Sequence, residues 1–236
     1  MIKKDLIVVI NGAGTTGGEL RALVNHLNKR ENTFVYYPGI MPGAFVGNYF
    51  PKAKTPDFIN FIDSVHELIN QEGFGKVYLI GYSLGASTAA ILAARNPQID
   101  KVILIAPIIK NPNYNKFLRG LSASIAAADR LTRVQRIFYK EFIHRFLNVP
   151  KIQLWHLQIY LRYTKRYLKM IKSPTMVVET TKDELVKKKS IDLIESYMQE
   201  VPFRREKVES SHFLFFDRPV RNYVIDLIDA YIKEDN

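Results

Sequence analysis

At 236 residues the chain is long enough for one domain with an inserted subdomain and can bury a substantial core. Its 47% hydrophobic and 24% charged content is ordinary for a globular protein, and the absence of cysteine excludes disulfides, thiolate metal sites and a cysteine nucleophile. The formal net charge of +11 is concentrated: Ile108 to Lys172 holds fourteen Lys or Arg against Asp129 and Glu141, a segment charge of +12 that leaves −1 elsewhere.

Lys3 and Lys4 stand before the apolar run Leu6 to Ile10, a pattern with some likeness to a signal peptide. The run is too short for that and is interrupted at once by Asn11-Gly12, and no stretch has the length of a membrane span, so the expectation is a cytoplasmic protein. Asp5 to Ile10 reads instead as a parallel strand buried on both faces. It leads into a glycine-rich turn, Asn11 to Gly18, and a helix from about Glu19 to Arg30. The turn lacks the Lys-Ser/Thr ending of a nucleotide loop and the Gly-x-Gly-x-x-Gly spacing, but its backbone N–H groups suit a substrate oxygen.

Thr33 to Tyr37 reads as the next strand. A long loop from Pro38 to Pro56 follows and carries Phe45, Tyr49 and Phe50. Asp57 to Gln71 has helical spacing, Val77 to Ile80 is an apolar strand, and Ala86 to Arg95 is a small-residue helix. Lys101 to Ala106 is a further strand. From about Pro107 to Lys172 there is no strand signal, and three helices are expected, at Asn115–Asp129, Arg130–Asn148 and Lys151–Lys172. The third has a stripe of Leu154, Leu157, Leu161, Leu168 and Ile171, tyrosines at 160, 163 and 167 beside it, and a basic remainder. Strand, helix, strand and helix then follow at Thr175–Thr180, Lys189–Gln199, Phe203–Glu209 and Pro219–Lys233. Alternation of this kind means an α/β protein with a doubly wound, mostly parallel sheet of about six strands.

Between the apolar strand and the small-residue helix lies Gly81-Tyr82-Ser83-Leu84-Gly85, a Gly-x-Ser-x-Gly match. A serine on a tight strand-to-helix turn is held exposed, and glycines two before and two after avoid clashes with the neighbouring strand and helix. A serine hydroxyl is a weak nucleophile until a base takes its proton. Of the five histidines, His26 and His66 fall inside helices, and His144 and His156 in the inserted segment. His212 alone follows a strand directly, at the carboxyl edge where ligand sites of open parallel sheets form. Asp183 follows a strand in the same way and is the leading acid, with Glu184 one position off and Glu179 inside the strand as competitors.

These residues resemble the α/β-hydrolase-fold serine hydrolases of the small lipase, esterase and thioesterase type. The resemblance rests on Gly81 to Gly85, the Pro174-to-Asp183 strand and turn, Ser211-His212-Phe213-Leu214 and the Asn11-Gly12 turn, in the order Ser, Asp, His. It implies catalytic Ser83, Asp183 and His212, an oxyanion hole from the backbone N–H groups of Leu84 and Ala13, and no cofactor or metal. Asn11 stands where many members have histidine, and the sheet starts at what would be the family's third strand. Residues 1–107 and 173–236 would form the core and 108–172 an inserted helical cap, with Tyr82, Phe45 and Tyr160 as substrate-binding candidates.

The implied reaction is hydrolysis of a carboxylic ester of a small or lipid-like acyl group through an acyl-enzyme. The basic cap adds three alternatives for partners. It attracts an anionic acyl-CoA or acyl carrier, as in a thioesterase, or it meets an anionic membrane surface. The third is a non-catalytic scaffold binding nucleic acid, which the complete Ser, Asp, His set argues against.

Overall fold

The computed structural model describes residues 3–12, 18–38, 55–71, 73–110 and 151–234. Six strands form one sheet in the order β2-β1-β3-β4-β5-β6. They are β1 (Lys4–Ile10), β2 (Thr33–Tyr36), β3 (Phe74–Tyr82), β4 (Lys101–Ile105), β5 (Thr175–Thr180) and β6 (Phe203–Val208), and every neighbouring pair is parallel. The described helices are α1 (Arg21–Leu27), α2 (Thr55–Ile69), α3 (Leu84–Arg95), α4 (Lys151–Leu168), α5 (Lys188–Tyr197) and α6 (Arg218–Lys233).

The central strands are continuous apolar runs because both of their faces are covered. Along β1, Leu6, Val8 and Ile10 enter one core while Ile7 and Val9 enter the other, the two-residue alternation of a strand. The first core takes α2, α3, α4 and α5, and the second takes α1 and α6. Right-handed crossovers explain the division: the step from β1 to β2 runs one way across the sheet, and the four later steps run the other way. The edge strands differ, since β6 carries Arg204, Arg205, Glu206 and Lys207 and is buried only at Val208.

Of the segment 108–172 expected as an inserted helical cap, the structure describes α4, which packs against α3. Its Tyr160, Leu161 and Leu168 are buried in the core with α3, the Tyr160 and Thr88 hydroxyls are 2.6 Å apart, and Tyr163 and Tyr167 pack against the same core. Thr164, which interrupts the apolar stripe, is fully buried and donates its hydroxyl proton to the Tyr160 carbonyl at 2.9 Å. The physical reason is topological. Parallel neighbours β4 and β5 need a crossover helix against the sheet, and α4 fills that place. The helices expected at 115–129 and 130–148 lie outside the described residues.

Candidate active site

The sheet order reverses between β1 and β3, and at such a switch point the carboxyl ends of two strands diverge to leave a crevice. Ser83 stands there, directly after β3. Its backbone has φ 57° and ψ −120°, a left-handed conformation that costs a non-glycine residue roughly 1–3 kcal/mol and survives only where its surroundings enforce it. Its N–H donates to the Ile105 carbonyl at 2.8 Å, and its carbonyl accepts from Ala86 and Ile108 N–H groups at 3.2 Å each. Close packing requires the flanking glycines. A Cβ on Gly85 would lie 2.4 Å from the Ile10 and Asn11 carbonyl oxygens, and one on Gly81 would lie 2.6 Å from Ala86 Cα.

The acid and base loops extend the β5–β6 pairing. After the Thr180–Val208 register, the Thr181 N–H donates to the Val208 carbonyl at 2.9 Å and the Lys182 N–H to the Ser210 carbonyl at 3.0 Å. Asp183 and His212 follow on these tied loops, and His212 reaches back across the sheet edge to Ser83. Ser83 Oγ lies 2.8 Å from His212 Nε2, and His212 Nδ1 lies 2.9 Å from Asp183 Oδ2. All three residues are buried.

Asp183 is over-determined. Its Oδ1 accepts the N–H groups of Leu185 at 2.8 Å and Val186 at 2.7 Å, and its Oδ2 accepts the Thr180 hydroxyl as well as His212 Nδ1–H. Burial opposes its ionisation, but the His212 charge and the hydrogen bonds from His212, Thr180 and Val186 outweigh burial and hold its carboxyl below the usual carboxylate range. A carboxylate fixed in this way selects the tautomer with the proton on Nδ1, leaving Nε2 free to accept from Ser83.

The competing acids are placed elsewhere. Glu179 takes Arg205 Nε at 2.8 Å on the β6 side, and Glu184 Oε2 accepts the His212 backbone N–H at 3.1 Å. The structure places the two tyrosines of the expected substrate-binding set, Tyr82 and Tyr160, as follows. Tyr82 is buried, stacks on the His212 ring at 5.6 Å and donates its hydroxyl proton to the His212 carbonyl at 2.8 Å. Tyr160 is buried between α4 and α3, with its hydroxyl used by Thr88. Each tyrosine packs protein against protein. Glu184, Tyr82 and Thr180 thus hold the Asp183–His212 pair, and their only sequence signal is adjacency to Asp183, Ser83 and the end of β5.

Leu84 begins α3, where the first N–H groups have no intrahelical partner. Ala13 and Phe45 lie outside the described residues. Gly12 closes toward the serine: a Cβ there would lie 2.8 Å from Ser83 Cβ. A cavity of about 290 Å³ opens beside the acid loop, lined among others by Ala106, Glu179, Asp183, Lys188 and Lys207. Ser83 does not line it, so it is not where a reacting group would meet the serine. Among the described residues no cluster of three or more His, Asp or Glu side chains suits a metal, and no helix is long and apolar enough to cross a membrane.

A family model for the alpha/beta hydrolase fold matches residues 5–124, about half of the chain. The chain belongs to the alpha/beta hydrolase fold family. No curated protein sequence matches it. Among solved structures, this α/β-hydrolase is similar to a metagenome-derived lipolytic enzyme of the LipS and LipT pair, with a TM-score of 0.69 at 12% identity over 99% of this chain and 96% of that one. A monoacylglycerol lipase from Paleococcus ferrophilus gives 0.66 at 18% identity, over 98% and 96% of the two chains. The enol-lactonase of Burkholderia xenovorans LB400 gives 0.63 at 16% identity, over 99% and 93%.

Proposed function

We propose that this α/β-hydrolase cleaves carboxylic esters of small or lipid-like acyl groups, with Ser83 as nucleophile, His212 as general base and Asp183 as the acid that orients it. The observation that carries the reading is the continuous line of hydrogen bonds from Ser83 Oγ through both His212 nitrogens to a carboxylate held by four donors. Lipolytic and lactone-cleaving neighbours of the same fold support the substrate class.

In this mechanism Nε2 takes the Ser83 proton as Oγ attacks the acyl carbonyl. The carbonyl oxygen becomes an oxyanion, held by the Leu84 N–H at the start of α3 and by Ala13, where the helix dipole also favours negative charge. The intermediate collapses, and the alkoxide leaves with the proton from Nε2. Water then gives its proton to Nε2 and attacks the acyl-enzyme, and Ser83 recovers a proton as the acid departs. The ionised Asp183 stabilises the imidazolium in both halves.

Ser83→Ala tests the assignment. Hydrolysis of short p-nitrophenyl esters is expected to fall by at least about 10⁴-fold with the melting temperature retained. Undiminished turnover in that variant would overturn it. Esters and thioesters of one acyl chain, assayed side by side, separate an esterase from a thioesterase by the ratio of kcat/KM.

A further inference from the structure

The outward face of α4 has a character that packing and helix stability do not account for. Its inner side is buried at Tyr160, Leu161, Thr164 and Leu168. Opposite them, spacings of seven and four residues place Trp155, Arg162 and Arg166 in one row, with Lys165 and Lys169 beside it and Lys172 just beyond. Trp155 is 55% exposed and Met170 48% exposed, so an indole and a thioether flank the cations. From Lys151 to Lys172 there are six Lys or Arg and no acid. None of Arg162, Lys165, Arg166, Lys169 or Lys172 forms an ion pair with a described residue. On the neighbouring α2, Asp63 is engaged by Arg95 at 2.7 Å, and Glu67 is an exposed acid.

Like charges three and four residues apart disfavour a helix. The helix dipole rewards cations in the last turn, which covers Lys165 and Arg166, but its influence has faded by Arg162. The row therefore suits an anion outside the protein. Its placement narrows the choice. α3 and α4 both descend from the carboxyl edge of the sheet, and Tyr160 is level with Thr88. Trp155 precedes Tyr160 by five residues and Ser83 precedes Thr88 by five. At about 1.5 Å of rise per residue, the indole stands at about the height of the serine along the helix axes. Trp155 thus lies toward the carboxyl edge of the sheet, the edge that also holds Ser83.

We propose that the outer face of α4 docks on an anionic lipid surface, with Arg162, Arg166 and Lys169 contacting headgroups and Trp155 seated at the interface. Indole rings favour the headgroup layer, and each Lys or Arg near an anionic leaflet strengthens binding about fivefold. Binding does not require the hydrolytic reading, so the two fail separately: Ser83→Ala should dock as the wild type does.

Trp155 is the only tryptophan in the chain, so its fluorescence reports the contact directly. The full chain is titrated with phosphatidylcholine vesicles containing either no phosphatidylglycerol or about one-third. Docking predicts a blue-shifted, iodide-protected emission on the anionic vesicles only, reversed at about 1 M salt where the Debye length is about 3 Å. The variant Arg162→Gln/Arg166→Gln/Lys169→Gln should partition about a hundredfold more weakly, with unchanged melting temperature and unchanged hydrolysis of a soluble ester. Absence of the shift, equal binding to neutral vesicles or wild-type partitioning by the variant would each overturn the proposal. So would protection of Trp155 by a DNA duplex but not by vesicles, which would assign the face to nucleic acid.

Discussion

α3 and α4 lie side by side on one face of the sheet, joined through Thr88 and Tyr160, and they solve different problems. α3 is buried on every side from Leu84 to Ala93, and its alanines let it approach β1, β3, β4 and α4 closely. α4 is buried on one side only, and its other side is a row of cations that form no ion pair with a described residue. Total burial gives α3 no freedom, which is what a strained serine at its first turn requires. One-sided burial leaves α4 a surface that can change without disturbing the site. In the proposed reading, geometry for chemistry and surface for recognition fall to adjacent helices.

The largest effect should come from breaking the fixed half of that comparison at its electrostatic end. Asp183→Asn is expected to lower kcat by about 10⁴-fold, because an amide cannot hold the Nδ1–H tautomer or stabilise an imidazolium. Steady-state kinetics with a soluble ester measures it. The same group sets an acid-side stability limit. Its carboxyl is lowered in the folded protein from an ordinary value of 3.8, so its contribution is complete above that value and lost as pH falls through the lowered one. Melting temperature against pH should therefore drop on the acid side, and the drop should be shallower in Asp183→Asn.

Next in size is Gly85→Ala, whose Cβ would meet backbone oxygens of Ile10 and Asn11 at 2.4 Å. The backbones of β1 and α3 cannot both stay in place, and a loss of about 3 kcal/mol is expected in denaturant unfolding. Smaller still is Tyr160→Phe, which removes the hydroxyl contact to Thr88. It should cost about 1 kcal/mol of stability and leave kcat/KM unchanged, since this tyrosine joins two helices and does not line the reacting centre. A large rise in KM with stability intact would restore Tyr160 to the substrate pocket.

Much of this molecule is legible in its residues. The central strands appear as continuous apolar runs, Ser83 and Asp183 each follow such a run and His212 follows the charged edge strand β6, so the sheet edge that collects them can be inferred from the chain order. The packing of α4 follows from a constraint present in the pattern, because consecutive parallel strands need a helix lying on the sheet between them. Thr164 interrupts that helix's apolar stripe in sequence, yet a hydroxyl that back-bonds to its own helix is accommodated in the buried face. The orientation of Tyr82 is less legible. Which way a strand-end side chain points depends on the turn that follows. Here the left-handed Ser83 turn leaves Tyr82 stacked on His212.

The central claim is that Ser83 is the activated nucleophile, and mapping covalent modification tests it most directly. The folded wild-type protein is treated with a fluorophosphonate and its peptides are analysed by mass spectrometry. The account predicts one adduct, on Ser83, with loss of ester hydrolysis in proportion to labelling and no adduct in a folded His212→Ala variant. Ester hydrolysis that persists in fully labelled protein, or an adduct on another residue that tracks the loss of activity, would contradict it.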